Sequence, residues 1–144
     1  MAKKTALKNL IWHKPPMQNG LQNPSIFRIT VRENETQVDM GYSAYNIYMN
    51  GGWIRINAHS YLQDIISGVK YKMTKAVGIP IAPEKLEFKT KTDWQYFSLL
   101  FEPLPKQNLM INLIESDNLV DSDHGDNFAF FRIELNLEEA LEEY

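Results

Sequence analysis

Cysteine is absent from this 144-residue chain. With it go thiol nucleophiles, thiol redox chemistry, disulfides and cysteine-ligated zinc. The absence does not set the compartment, because a chain of this length buries an ordinary core without covalent staples. Long apolar runs are missing too. No segment approaches the roughly 20 apolar residues of a membrane-spanning helix, so membrane insertion is not expected. The basic start (Lys3, Lys4, Lys8) develops no apolar run of signal-peptide length before Asn9, His13 and Lys14 interrupt it, and the chain as written is expected to be soluble. A strong charge of either sign is lacking. The net formal charge of -3 gives no electrostatic reason to expect nucleic acid or an anionic membrane as partner. Histidine is scarce, and His13, His59 and His124 do not stand at zinc-ligand spacing from one another.

What the chain has instead is short strands. With 44% hydrophobic and 12% aromatic residues it has the composition of a folded globular domain. Phe27, Ile29 and Val31 alternate with Arg28, Thr30 and Arg32, which predicts a first strand with one apolar face. Glu33-Asn34-Glu35 is a polar turn, and Thr36 to Tyr42 reads as the returning strand with Val38 and Met40 inward. Further strands are expected around Tyr45–Met49, Trp53–Ala58, Val69–Met73, Leu86–Lys89, Trp94–Glu102, Leu109–Glu115 and Phe128–Leu137. Tyr61 to Ser67 reads as an irregular or helical connection. Pro80 and Pro83 keep residues 78–83 out of a central strand. Only Leu137 to Tyr144 has a helical look, and it is too short to be stable alone.

About seven to nine short strands with turn signals between them predict an all-β fold, an immunoglobulin-like antiparallel β-sandwich with an irregular N-terminal arm. The expected organisation is an arm over residues 1–23 packed on the core, a sandwich over 24–137, and an acidic tail or linker start over 138–144. Trp12 is expected to be at least partly buried.

The constellation that best resembles a site is the acidic loop Asp117, Asp121, Asp123, His124, Asp126. Asp121, Asp123 and Asp126 form a calcium candidate, because alternating carboxylates supply hard oxygen ligands. The loop departs from a calcium-loop pattern at Gly125, Asp126 and Arg132, and a solvated hairpin is the plainer reading. Ser60 beside His59 is no hydrolase pair, since adjacent strand residues point to opposite faces. Gly51-Gly52 reads as a hairpin turn rather than a phosphate loop. No catalytic residue, cofactor or metal is therefore assigned from sequence. Tyr45, Tyr48, Trp53 and Trp94 are the aromatic residues expected to face a ligand if a sheet face binds one, although packing is the usual role of aromatics in a sandwich.

Trp12, Ser25-Ile26, Trp53-Ile54-Arg55-Ile56, Tyr61-Leu62, Lys70-Tyr71, Gly78-Ile79-Pro80, the block Phe97 to Pro105 and Ile114-Glu115 follow one another in an order that is similar to a known family. Over roughly residues 10–136 the chain resembles an immunoglobulin-like β-sandwich domain of Bacteroidetes proteins. That domain often precedes a thioredoxin-like domain in exported chains. The resemblance implies a periplasmic or cell-surface setting and an accessory role. It carries over no catalytic residue, because the redox Cys-x-x-Cys of such proteins belongs to the neighbouring domain.

The function expected from the sequence is thus a non-enzymatic accessory or interaction domain. It would present a sheet face or loops to a protein partner, or space an adjacent domain. A carbohydrate-binding module using exposed aromatics is the alternative, and a hydrolase at the acidic loop is a poorer one. An exposed aromatic strip flanked by Asn, Asp or Arg would favour sugar. A broad apolar patch or an open edge strand would favour protein, and a pocket gathering His59 or His124 with carboxylates would favour an enzyme.

Overall fold

The computed structural model describes residues 8–18, 24–44, 52–90, 93–116, 120–121, 125–126 and 129–143. Its strands in chain order are β1 (Asn9–His13), β2 (Ser25–Val31), β3 (Thr36–Ser43), β4 (Trp53–Ile54), β5 (Tyr61–Asp64), β6 (Lys70–Val77), β7 (Leu86–Glu87), β8 (Trp94–Phe101), β9 (Leu109–Ile114), β10 (Val120–Asp121), β11 (Gly125–Asp126), β12 (Ala129–Leu135) and β13 (Leu141–Glu143). A 3₁₀ turn, Leu137–Glu139, precedes β13. Nine strands form one sheet in the order β12-β9-β5-β6-β8-β3-β2-β1-β13, and every pairing is antiparallel. The sheet is curled into a half-barrel, consistent with an immunoglobulin-like β-sandwich. β4–β7 and β10–β11 are separate two-stranded pairs. Among the described residues, no helix is long and apolar enough to cross a membrane.

β6 joins the two halves of the fold by changing partners along its length. Lys70, Tyr71 and Lys72 pair with β5, whereas Met73 to Val77 pair with β8 across a bulge. The opposite seam is made by the N-terminal segment. β1 pairs with β2 as far as His13, and Lys14 N–H still donates to Phe27 O at 2.9 Å. Lys14 then takes φ +45°, a left-handed conformation that a side chain disfavours by about 1 kcal/mol. The chain turns there and crosses to β12. Glu134 N–H donates to Pro16 O, and Gln18 N–H donates to Phe131 O, both at 2.9 Å. Phe131 lies in a bulge of β12, where Arg132 has φ +54°. Both turned residues lie at this seam.

Several strands differ from the sequence expectation. β1 lies inside the segment expected to be an irregular arm. Its alternation is plain in hindsight: Leu10 and Trp12 are 6% and 3% exposed, while Ile11 and His13 point away from the core. Trp12 Nε1–H donates to Asn136 O at 2.9 Å and ties β1 to the end of the chain. Residues 61–64 are a strand rather than an irregular connection, paired with both β6 and β9. The C-terminal stretch is a strand on β1, not a helix or free tail, because β1 offers it a ladder through Asn9, Leu10 and Ile11.

One core holds the halves together. Ile29, Val31, Val38, Met40, Leu62, Leu99, Phe101, Ile111, Leu113, Phe130, Ile133 and Leu135 are essentially inaccessible. Each such side chain contributes roughly 1.5–3 kcal/mol relative to exposure. The Pro103-Leu104-Pro105 stop after β8 also has a packing role. Leu104 is buried, and its N–H donates to Thr36 Oγ1 at 2.9 Å inside the core.

Candidate functional site

The outer face of β2, β3 and β8 carries the most distinctive chemistry among the described residues. Along β8 the even positions Trp94, Tyr96, Ser98 and Leu100 face outward, while Phe97, Leu99 and Phe101 are buried. Trp94 and Tyr96 are therefore neighbours on one face, as strand periodicity requires. Their rings lie 5.9 Å apart and within 13° of parallel. They remain 53% and 66% exposed.

The register places a gap beside them. Gly41 on β3 pairs with Tyr96, and Ser43 pairs with Trp94. A Cβ on Gly41 would come within 2.4 Å of the Phe27 ring. That ring fills the gap and contacts Tyr96 at 5.8 Å between centroids. Phe27 reaches the outer face because of a bulge between Ile26 and Arg28. The sequence reading put Phe27 on the core face with Ile29 and Val31; the bulge instead turns Ile26 inward, at 6% exposure.

A charged network borders the aromatic row. The Asp39 carboxylate accepts hydrogen bonds from Ser98 Oγ at 2.6 Å, Gln37 Nε2 at 2.7 Å and Arg28 Nε at 2.7 Å. Gln37 in turn accepts from Arg32 Nη1 at 2.7 Å, and Arg32 also pairs with Glu35 at 3.1 Å. Burial pushes the Asp39 carboxyl upward, but the three donors and the Arg28 charge together outweigh it. Its pKa falls below the ordinary carboxylate value. The network joins β2, β3 and β8.

The start of β8 is also held. Asp93 Oδ2 accepts from the N–H groups of Lys89 and Thr90 at 2.9 and 3.1 Å, and Oδ1 accepts from Thr90 Oγ1 at 2.9 Å. These bonds, the one from the Thr90 backbone foremost, hold the Asp93 carboxyl below its usual pKa. Ala44 N–H donates to Asp93 O at 2.9 Å and anchors the same turn to the end of β3. Trp94 thus follows directly on an anchored residue, Asp93.

The residues singled out by sequence fall differently. Trp94 is on the exposed strip. Trp53 is half-buried on β4 with the Arg55 guanidinium 4.8 Å and the Lys85 ammonium 4.5 Å from its ring, so its π surface already meets protein cations. Tyr45 and Tyr48 lie outside the described residues. Asp121 and Asp126 belong to the two-residue strands of the β10–β11 hairpin, with Val120 opposite Asp126 and Asp121 opposite Gly125; Asp123 and His124 lie outside the described residues. Among the described residues, no group of three or more His, Cys, Asp or Glu is placed to hold a metal ion.

Among the described residues, no hydrolase grouping forms at His59 either. His59 is exposed, whereas Ser60 is 1% exposed and its Oγ donates to the carbonyls of Asn57 and Glu115 at 2.7 and 3.3 Å. A surface depression of about 340 Å³ is lined by Asn9, Arg32, Glu33, Asn34 and Glu35, with no nucleophile beside a base. Tyr96 and Phe27 were not among the four aromatic residues expected to face a ligand. The signal for Tyr96 was its position two residues from Trp94. Phe27 had none, because a bulge leaves no mark in composition. No protein-family model, curated protein or solved structure matches the chain.

Proposed function

We propose that this chain is a non-enzymatic recognition domain that presents the outer face of β2, β3 and β8 to its partner. The observation that carries the reading is the pair Trp94 and Tyr96, parallel, more than half exposed and mounted on a central strand. Exposed aromatic clusters of this kind lower solubility, and in monomeric proteins they mark interaction surfaces. The rings are also pre-positioned: the strand backbone carries both, Phe27 packs on Tyr96, and Trp94 follows the anchored Asp93. Little ordering entropy is left to lose on binding.

The accessory role and the cell-envelope setting implied by the sequence resemblance belong to the same proposal. The coding sequence around the gene tests them directly: a thioredoxin-like neighbour supports an accessory role, and an unrelated intracellular operon counts against it.

The face itself is tested by photo-crosslinking in an extract of the organism that encodes the protein. The photoreactive residue p-benzoylphenylalanine replaces Val77, which pairs with Ser98 beside the strip, or Glu138 on the 3₁₀ turn as control. Adducts concentrated at position 77 are expected. Equal yields at the two positions would refute the assignment.

A further inference from the structure

We infer that the occupant of the outer aromatic face is a neutral polysaccharide, its sugar rings lying on Trp94 and Tyr96 and its hydroxyls meeting the polar flank. The inference rests on the recognition face proposed above and names its ligand class. Two features of the face select this class.

The first is the size of the apolar area. An aromatic side chain buries about 150–250 Å² when fully covered. At 53% and 66% exposure, Trp94 and Tyr96 together offer on the order of 250 Å². A stable protein interface needs about 800 Å² per partner with an apolar, charge-depleted core. Here Arg28 and Asp39 form an ion pair directly beside the rings, and Ser98, Gln37 and Lys75 continue the face. Val77, 47% exposed opposite Ser98, adds an aliphatic margin, and the apolar area still suits one or two sugar rings and falls well short of a protein interface core.

The second is the pairing of chemistries. A pyranose has an apolar face of C–H groups and an equatorial rim of hydroxyls. Aromatic rings match the first, and planar bidentate groups match the second. The Arg28 side chain is 46% exposed and uses Nε toward Asp39. A guanidinium has five N–H donors in a fixed fork, so the ones beyond Nε suit sugar hydroxyls. Arg28 and Asp39 neutralise each other, so the pair that borders the rings hydrogen-bonds without a net charge of its own to attract an acidic glycan. Trp94 and Tyr96 follow one another along a strand face and stay more than half exposed, so successive sugar rings can lie along them.

The test is affinity electrophoresis of the full chain in gels containing soluble neutral polysaccharides (β-glucans, xylan, mannan, glycol chitin), with pull-down on insoluble cellulose and chitin. The chain is expected to be retarded or retained by at least one. Trp94→Ala and Tyr96→Ala should each weaken that binding by about tenfold or more, equivalent to about 1.4 kcal/mol, while Glu138→Ala leaves it unchanged. Both strip side chains are exposed, so thermal melts should show all three variants folded.

Retention by no glycan overturns the inference, as does retention insensitive to both strip substitutions. The outcomes separate the two levels of the argument. Protein adducts at position 77 without any glycan retention would keep the recognition face and discard the polysaccharide. Equal cross-linking at positions 77 and 138, together with glycan binding that ignores Trp94 and Tyr96, would discard both.

Discussion

Asp39 is the residue whose removal says most about the outer face. Its carboxylate accepts from Ser98, Gln37 and Arg28 at 2.6–2.7 Å, and hydrogen bonds to a charged group contribute roughly 1.5–3 kcal/mol each in sheltered sites. The full value does not apply here. The Arg28 side chain is 46% exposed, and the donors regain water when the carboxylate is gone, so most of the gross interaction is screened or replaced. We expect Asp39→Ala to lose about 2 kcal/mol at pH 7. With a urea slope of about 1–3 kcal/mol/M, the unfolding midpoint should fall by roughly 1 M.

The pH dependence gives the sharper test. The folded-state pKa of Asp39 lies below its ordinary value of 3.8. The stabilisation is therefore fully present above the unfolded value and is lost as pH falls through the folded one. Urea unfolding of both proteins at pH 7 and at steps below pH 4 should show the gap between them narrowing with acid. A gap equal at pH 7 and pH 3 would refute the charge-assisted network, and so would a gap below about 0.5 kcal/mol at pH 7.

Substitutions at four further positions probe the scaffold. Thr36→Val keeps the side-chain shape but orphans the buried Leu104 N–H, so it should destabilise by about 1–3 kcal/mol in urea, while Thr36→Ser stays close to wild type. Trp12→Phe removes the bond to Asn136 O and part of a 3%-exposed ring. A loss of about 2–3 kcal/mol is expected, and proteolysis near the N-terminus should report its local share. Gly68→Ala and Gly78→Ala share a positive φ, of +79° and +82°, but a Cβ at 78 would meet Tyr96 O at 2.8 Å whereas one at 68 meets nothing within 4 Å. Thermal melts should therefore show strain of about 1 kcal/mol at 68 and a clearly larger loss at 78.

Much of the fold was legible wherever one strand face is buried and the other is wet. Val38 and Met40 alternate with Gln37 and Asp39, and the structure places them as that pattern requires. Trp12 could be read as buried because Leu10, Ile11, Trp12 and Met17 are apolar enough to pin the N-terminal segment against a core. The pattern failed where neighbours cover both faces. Tyr61, Leu62 and Asp64 are all buried, so no alternation marks their strand. It failed again for Leu141 to Glu143, whose glutamates resemble a helix end and whose partner β1 stands at the far end of the chain. The site was half legible. Trp94 was named from sequence, but exposure is a tertiary property. Sequence could not show that Trp53 would lie against Arg55 and Lys85 while Tyr96 stayed open.

The seam made by Lys14 to Gln18 also bears on how fast the molecule forms. β1 rests on β2 beside it in sequence, but its other contacts are with β13, Asn136 and, through Gln18, Phe131. Bringing such distant segments together loses loop entropy before any contact repays it, and folding rates fall as contacts become less local. The β2–β3 and β5–β6 hairpins can form early. Closure of the curled sheet has to wait for β12 and β13. A refolding experiment should see β-sheet signal rise first and the Trp12 environment mature last, and at the ribosome the N-terminal strand should stay protease-sensitive until the last strands have emerged.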